Sequence, residues 1–504
     1  MNALANKNIL VLGLGSSGLA LARWCARGGA QVTVADTRAT PPQLQALQTS
    51  VPAANFVHAE MSESLLAGTS VSAFDLVLKS PGLSPASVAG VVAAADERGI
   101  ACGNELSLFA QALADLKADQ GYAPQVIAIT GTNGKTTVTS LTGQLVQRAG
   151  KSVAVAGNIG PTLLDTLTEK LDAASRGEAL PEVWVLELSS FQLDGTKNFE
   201  PTVATILNIT QDHLDWHETP AAYSAAKANV YGPTGTMLLN RNDPLLMAAL
   251  PPLVKGKQLR SNVTFGSDAP ARPGDYGIET VNGMAWLVRA LELDETFKRR
   301  KDDEVVLHIQ RLMPLDALRI RGRHNATNAL AALGLAVAAG CSLAAMLHSL
   351  RDYRGEPHRV ESVGVIADVE YFDDSKGTNV GATVAALSGL GVDRKLVLIL
   401  GGEGKGQDFS FLIEPVARHA RAVVLIGQDA PLLRRALHGV AVPLFDATSM
   451  QDAVHQAQQQ ASAGDAVLMS PACASFDMFD NYEHRARVFC EAVQALAHEH
   501  GGLL

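Results

Sequence analysis

The sequence predicts an α/β protein of three domains: an N-terminal Rossmann-like unit, a central P-loop-like unit and a C-terminal Rossmann-like unit. Three observations carry this expectation. Short apolar strands alternate with helical stretches along the chain. Two glycine-rich turns, "VLGLGSSGLA" at 11–20 and "AITGTNGKTTVTS" at 128–140, each follow such a strand and open a helix. The 504 residues also exceed one core, since domains usually hold about 100–200 residues. Alternating strands and helices imply parallel sheets, with ligands at the carboxyl ends of the strands. The expected units are 1–120, 121–324 and 325–504.

In the first unit, "NILVLG", "QVTVAD" and "FDLVLKSPGL" read as strands. Gly13, Gly15 and Gly18, with Asp36 closing the next strand, match the dinucleotide fingerprint. On these residues alone the loop suits NAD, another phosphate, or close packing. "ADLKADQGYAP", residues 114–124, reads as a linker.

The second unit runs through "QVIAIT", "SVAVAGNIG", "EVWVLELSS", "VATILNIT" and "TMLLN". Its loop, Gly131, Thr132, Asn133, Gly134, Lys135, Thr136 and Thr137, places backbone N–H groups and a helix N-terminus where phosphates bind. Lys135 would reach the outer phosphates of ATP and Thr136 would help hold Mg²⁺. The first glycine of the standard P-loop spacing would fall at Ile129, so this is a variant. Glu187 ends an apolar strand beside the loop and suits a Mg²⁺ ligand or a helix cap. "NITQDHLDWH" offers His213 as a second ligand. "AAYSAAKANVY" reads as a helix with Tyr223, Lys227 and Tyr231 on one face; by residue type alone Lys227 is a surface lysine. Residues 252–320 are irregular, with a charged insertion near 292–304.

The third unit holds the strands "VIADVEYFDDS", "KLVLILGG", "AVVLIG" and "DAVLMSP". Asp374, Lys376, Thr378 and Lys405 fall on strand-end turns, and Ser475 on an expected helix start. Asn325, Asn328 and Arg359 fall near the junction with the second unit. Together these groups suggest a polar pocket facing the second unit.

Composition is ordinary for a soluble chain, with 47% hydrophobic and 18% charged residues. A formal net charge of -10 argues against a nucleic-acid partner. Five scattered cysteines without CxxC spacing fit reduced thiols in the cytoplasm. No basic start followed by a long apolar core marks a signal peptide. The uncharged stretch 329–347 is long enough for a membrane span, but Gly340 and Ser342 divide it into two expected buried helices.

Taken in order, "GTNGKTT", "ELSSFQL", "DHLDWH" with "AAK", "HNATNALAA", "PHRVE" and "DDSKGTN" resemble the Mur ligases of peptidoglycan synthesis. "LGGEGKGQDFS" and "SPACASFDMFDNY" resemble the D-glutamate-adding branch of that family. The resemblance implies an ATP-dependent amide ligase that adds D-glutamate to UDP-N-acetylmuramoyl-L-alanine through an acyl phosphate. It implies that the first loop holds UDP rather than NAD. Gly15, Ser16, Ser17, Asp36, Thr37, Arg38, Ser80, Pro81, Gly82 and Asn158 would then bind the UDP substrate. Gly131 to Thr137 would bind ATP together with Asn328, Arg359, Asp374 and Lys376. Thr136, Glu187, His213 and Lys227 as a carbamate would hold two Mg²⁺ ions, with Lys135, His213 and Lys227 catalytic. Thr378, Lys405, Ser475, Phe476 and Tyr482 would bind D-glutamate. Tyr482 and Ala486 depart from the phenylalanine and glycine often found there. A monomeric, cytoplasmic enzyme working on small molecules, without nucleic acid or membrane, is expected. The rival readings are a folylpolyglutamate synthase-like ligase, whose relatives lack the first domain, and an NAD-dependent oxidoreductase.

Overall fold

The first domain is built on a parallel sheet in the order Asn55–His58, Gln31–Asp36, Asn8–Leu12, Leu76–Lys79, Ala101–Asn104. The computed structural model describes residues 4–67, 74–293, 306–392 and 394–500; from residue 294 onward the expected insertion lies outside the described residues. Ile9, Leu10, Val11 and Leu12 of the central strand are fully buried. Such a strand, covered on both faces, reads as a continuous apolar run. The edge strands "NFVH" and "ACGN" are short and partly polar, so the apolar pattern passes over them.

The central domain has six parallel strands in the order Asn262–Phe265, Thr236–Asn240, Val203–Ile206, Gln125–Thr130, Val183–Glu187, Val153–Gly157. The irregular stretch after it contains a three-stranded antiparallel sheet, Tyr276–Val281, Met284–Glu292 and Leu307–Pro314. Its first hairpin turns at Asn282 and Gly283, with φ of 51° and 79°. Asn-Gly favours this turn because both residues tolerate positive φ.

The third sheet runs Glu361–Ile366, Val369–Asp373, Ala466–Met469, Leu396–Gly401, Ala420–Ile426, Leu444–Asp446. Its first pair is antiparallel and the others are parallel. "VIADVEYFDDS", expected as one strand, is therefore a hairpin, turning at Ala367 and Asp368 with φ of 48° and 60°.

Two junctions differ from expectation. The stretch 114–124 is largely helix: Glu105–Gln120 runs through it and stops at Gly121, φ 70°. That helix carries Phe109 onto Trp184 of the central sheet, ring centroids 5.1 Å apart, and one buried cluster spans both domains. At the second junction, helices Arg323–Ala338 and Leu343–Asp352 bury Leu330, Leu333, Met346 and Leu350 against Val138, Leu141 and Leu145 of the central domain. Their apolar faces therefore group them with the central layer, although the expected boundary at 325 gave them to the third unit. The uncharged stretch folds as these two helices, with Gly340 at φ 81° between them. No helix among the described residues is long and apolar enough to cross a membrane.

Candidate active site

The glycine-rich loop after Gln125–Thr130 leads into helix Lys135–Arg148, with Gly134 as its N-cap at φ 82°. A Cβ at Gly134 would stand 2.9 Å from Asn328 Oδ1, so glycine is required for both conformation and space. Lys135 Nζ curls into the loop, donating to Gly131 O at 2.8 Å and Thr132 O at 2.9 Å. Burial pulls Lys135 below its ordinary pKa, with Glu187 opposing the shift. Asn208 braces the loop. Its Oδ1 accepts from Asn133 N and its Nδ2 donates to Asn133 O. Asn208 was not singled out from the sequence, although it lies two residues past the strand in "VATILNIT".

Glu187 is 1% exposed at the end of its strand. Its Oε1 accepts from Asn158 Nδ2 at 2.8 Å, while Oε2 is buried without a hydrogen-bond partner. A carboxylate oxygen in that state is costly unless a cation meets it. His213 packs edge-on to Phe191, 4.7 Å between ring centroids, and its Nε2 is 3.6 Å from Asp212 Oδ2.

Lys227 is 1% exposed, contrary to the surface position its residue type suggested. Helix Pro220–Ala228 carries it behind the loop, where Nζ donates to Gly131 O at 2.9 Å and Thr130 Oγ1 at 3.3 Å. Burial, reinforced by Lys135, drives its pKa well below the ordinary lysine value. It sits beneath the loop, whereas Thr136, Glu187 and His213 line the cleft itself. Tyr231, expected on the same helical face, belongs to the following 3₁₀ turn.

The third domain closes the other side. Arg359 Nη2 donates to Thr136 Oγ1 at 2.7 Å. Asn379 exchanges side-chain hydrogen bonds with Asn133 at 3.2 and 3.4 Å and donates to Asp212 Oδ2 at 3.4 Å. Asn379 was not singled out from the sequence; its position before helix Val380–Leu390, where it caps Ala382 N, was the available signal. Between the two domains lies a cleft of about 840 Å³. Lys135, Thr136, Asn158, Glu187 and His213 line one wall, and His358, Arg359, Lys376, Thr378, Lys405 and Tyr482 the other.

A neighbouring cavity of about 120 Å³ is lined by Asn325, Asn328, Asp374 and Lys376, with Phe265 as an apolar wall. Burial lifts the Asp374 carboxyl to about 7, although Ser470 Oγ donates to its Oδ2 at 2.6 Å. Burial, reinforced by Arg359, lowers Lys376 to about 8, and its Nζ lies 3.5 Å from the centroid of the Tyr482 ring.

Ser475 does not start a helix. It lies in a turn, 2% exposed, and the helix begins at Tyr482 with Asn481 as its cap. Phe476 is 66% exposed on the rim, with Lys405 Nζ 5.8 Å from its ring. Neither Ser475 nor Phe476 lines the cleft.

The first loop forms a separate site. Gly13 has φ 85°, and a Cβ on Gly18 would meet Gly13 O at 2.0 Å, so the helix packs directly on the turn. Ser16 and Ser17 open helix Ser16–Arg27, with Gly15 as N-cap. Asp36 Oδ2 accepts from Leu14 N at 2.7 Å, and its carboxylate pairs with Arg38 at 2.8 Å. Thr37 O contacts His58 Nε2 at 3.1 Å. Ser80 is buried against Gly13, with Pro81 and Gly82 following it on the adjacent strand end. Asn158 stands apart from this group, on the wall of the main cleft.

Comparison with known proteins covers all three domains. Residues 7–103 match the Mur ligase MurD-like N-terminal domain, 129–336 the Mur ligase middle domain, and 358–473 the Mur ligase glutamate ligase domain. The chain is 67% identical to a UDP-N-acetylmuramoylalanine--D-glutamate ligase of Albidiferax ferrireducens, covering 99% of this chain and 98% of that one. It is 58% identical to the ligase of the same name from a Polaromonas species, covering 100% of both. Among solved structures, MurF ligase from Thermotoga maritima in complex with ADP aligns at TM-score 0.55 and 15% identity, covering 98% of this chain and 97% of that one. UDP-N-acetylmuramate-alanine ligase MurC from the same organism aligns at 0.52 and 18%, covering 97% and 100%. The chain belongs to the Mur ligase family.

Proposed function

We propose that the protein is an ATP-dependent amide ligase joining D-glutamate to the L-alanyl carboxylate of UDP-N-acetylmuramoyl-L-alanine. The observation that carries this reading is the cleft itself. A phosphate loop with an inward lysine faces Lys376, Thr378 and Lys405 on another domain, with Glu187 Oε2 buried and unpaired between them. The rival ligase lacks the first domain, which here is matched as MurD-like. The oxidoreductase reading is not favoured, because all three domains match Mur ligase models.

The L-alanyl carboxylate attacks the γ-phosphorus of ATP; the bond to ADP breaks and an acyl phosphate forms. The glutamate amine then attacks the acyl carbon and phosphate leaves. Lys135 neutralises charge on the transferred phosphoryl group from within the loop. Lys405 and Thr378 offer a cation and a hydroxyl to the acceptor's carboxylates. Contacts between the two domains at Arg359–Thr136 and Asn379–Asn133 bring loops from both to the cleft, where they would help shield the intermediate from water.

The donor set fits magnesium: Glu187 Oε2 is an unpaired buried carboxylate oxygen, and Thr136 and His213 share its cleft. Magnesium bound there would supply positive charge to screen the phosphates from the attacking carboxylate. Lys227 would join as a carbamate, since an ammonium has no lone pair to offer. A monomer working in the cytoplasm completes the reading.

The test is phosphate release from ATP with UDP-N-acetylmuramoyl-L-alanine, comparing D-glutamate, L-glutamate and meso-diaminopimelate. D-glutamate should support turnover and the others should not. Equal turnover with diaminopimelate would overturn the assignment.

A further inference from the structure

We propose that His358, held by Asp373, is a catalytic base that takes a proton from the incoming amino group in the second half of the reaction. This inference rests on the ligase reading above.

The dyad stands at the start of the third domain. His358 has φ 62°, a left-handed conformation uncommon outside glycine, though histidine tolerates it better than most residues. Its Nδ1 lies 2.7 Å from Asp373 Oδ2, at the end of strand Val369–Asp373, and its backbone N donates to Glu361 Oε2 at 2.9 Å. Asp373 is 1% exposed and its other oxygen, Oδ1, accepts from Ser375 N at 2.9 Å. A carboxylate accepting on both oxygens fixes the proton on Nδ1 of the imidazole. The lone pair is then on Nε2, for which no hydrogen bond is present among the described residues. The side chain keeps 27% of its surface open and lines the cleft with Lys376, Thr378, Lys405 and Tyr482. These four belong to the wall assigned to the amino acid or its junction with ATP.

The charged and titratable groups around the ring are Asp373 and Glu361 on its own sheet, Arg359 and Glu356 on its own turn, Lys376 on the loop after Asp373, and Tyr482 and Glu483 on the last helix. Tyr482 meets the imidazole edge-on, ring centroids 6.2 Å apart. Burial raises the pKa of Asp373, and the His358 hydrogen bond opposes that rise. The short Nδ1–Oδ2 contact places the Asp373 carboxyl where it would pair with an imidazolium formed on His358.

The chemistry requires a proton acceptor. An amino acid arrives as R–NH₃⁺ and leaves as R–NH–, so nitrogen loses two protons. Nε2 takes the first, giving an imidazolium paired with Asp373 and a free amine. The amine lone pair forms the C–N bond at the acyl carbon. The second proton leaves that nitrogen as the C–O bond to phosphate breaks, with the departing phosphate as acceptor. A positioned base of this kind contributes typically about 10²–10⁴-fold.

The experiment compares two acceptors in His358→Gln and Asp373→Asn. Hydroxylamine is already unprotonated at neutral pH and traps an acyl phosphate without a base. In His358→Gln, D-glutamate-dependent kcat should fall by about 10²-fold or more, while hydroxamate formation from UDP-N-acetylmuramoyl-L-alanine and ATP stays within a few-fold of wild type. Asp373→Asn should fall less, with the same split between acceptors. Raising the pH should narrow the D-glutamate deficit of both variants, because solvent then supplies free amine. Equal loss with both acceptors, or full D-glutamate turnover in His358→Gln, would overturn the role of His358. Wild-type protein that forms hydroxamate but no D-glutamate product would instead overturn the assignment of the acceptor.

Discussion

Arg359 donates from Nη2 to Thr136 Oγ1 at 2.7 Å, joining the third domain to the phosphate loop 223 positions earlier in the chain. The contact falls on the residue after the loop lysine, so on the proposed ligase reading Arg359 is placed to act on bound ATP.

Removing this charged hydrogen bond should cost about 1.5–3 kcal/mol, or roughly 10–100-fold. Arg359→Ala is expected to raise the KM for ATP by about that factor. Arg359→Lys should recover only part of it, because an ammonium lacks the planar fork. Steady-state kinetics with ATP as the varied substrate is the measurement. An ATP KM unchanged in Arg359→Ala would remove the residue from nucleotide binding.

Lys227 supplies a second expectation. Its amine is buried beside Gly131 O, and that burial, with Lys135 nearby, makes a positive charge there costly, although the Asp212 carboxylate opposes the effect. Such an amine is readily neutral, and a neutral amine reacts with CO₂ to give a carbamate with two anionic oxygens. Lys227→Ala should lose most of the activity, and bicarbonate or a short carboxylic acid should restore part of it. A fully active Lys227→Ala, or an unmodified ammonium in the magnesium-loaded enzyme, would sink the idea.

Much of the architecture was legible because interior parallel strands are apolar throughout. Asn8–Leu12, Gln125–Thr130 and Leu396–Gly401 announce themselves in this way, as do the two glycine loops. The edge strands Asn55–His58 and Leu444–Asp446 were not legible, because half their surface faces water and the run is broken. Helix Arg323–Ala338 was assigned to the wrong neighbour. It is apolar on nearly every side, so its pattern says that it is buried but not against what. Within the site, Lys135 and Glu187 stand at strand and helix ends, which sequence marks well. His358 and Asn379 gain their meaning only from partners on other elements, Asp373 and Asn133. Ser475 shows the reverse error: a small polar residue before a helix looks like a cap, but Asn481 takes that role.

Asp36 predicts a dependence on pH. The Arg38 side-chain hydrogen bond, with help from Leu14 and Arg38 backbone N–H groups, lowers its carboxyl to about 2 from an ordinary 3.8. The folded value lies below the unfolded one, so the stabilisation is present above about pH 4 and is lost as pH falls toward 2. Arg38 is 53% exposed, so water screens the pair and leaves it about 1 kcal/mol. Asp36→Asn should melt about 2–4 °C lower than wild type at pH 7, and the gap should shrink once pH drops below about 4. Thermal unfolding across the folded pH range is the check. A gap that widens toward low pH would contradict the assignment.

Lys405 bears on the amino-acid end of the cleft. It stands at φ 53° on the turn after strand Leu396–Gly401, where Gly404 N donates to Asp429 Oδ2 at 2.6 Å and fixes the turn. Among the described residues its ammonium forms no ion pair, and it lies 5.8 Å from the centroid of the Phe476 ring. D-glutamate brings two carboxylates, and this wall offers Lys405, Lys376 and Arg359 as cations, Arg359 already donating to Thr136 Oγ1. Lys376 packs on the Tyr482 ring and also lines the neighbouring cavity, so on the proposed reading Lys405 is the cation expected to meet the acceptor. One charged hydrogen bond is worth about 1.5–3 kcal/mol, so Lys405→Ala should raise the KM for D-glutamate by roughly one to two orders of magnitude. The KM for ATP should stay within a few-fold. Equal increases in both constants would mean that Lys405 serves the nucleotide or the closing of the domains. An unchanged KM for D-glutamate would take it out of the acceptor pocket altogether.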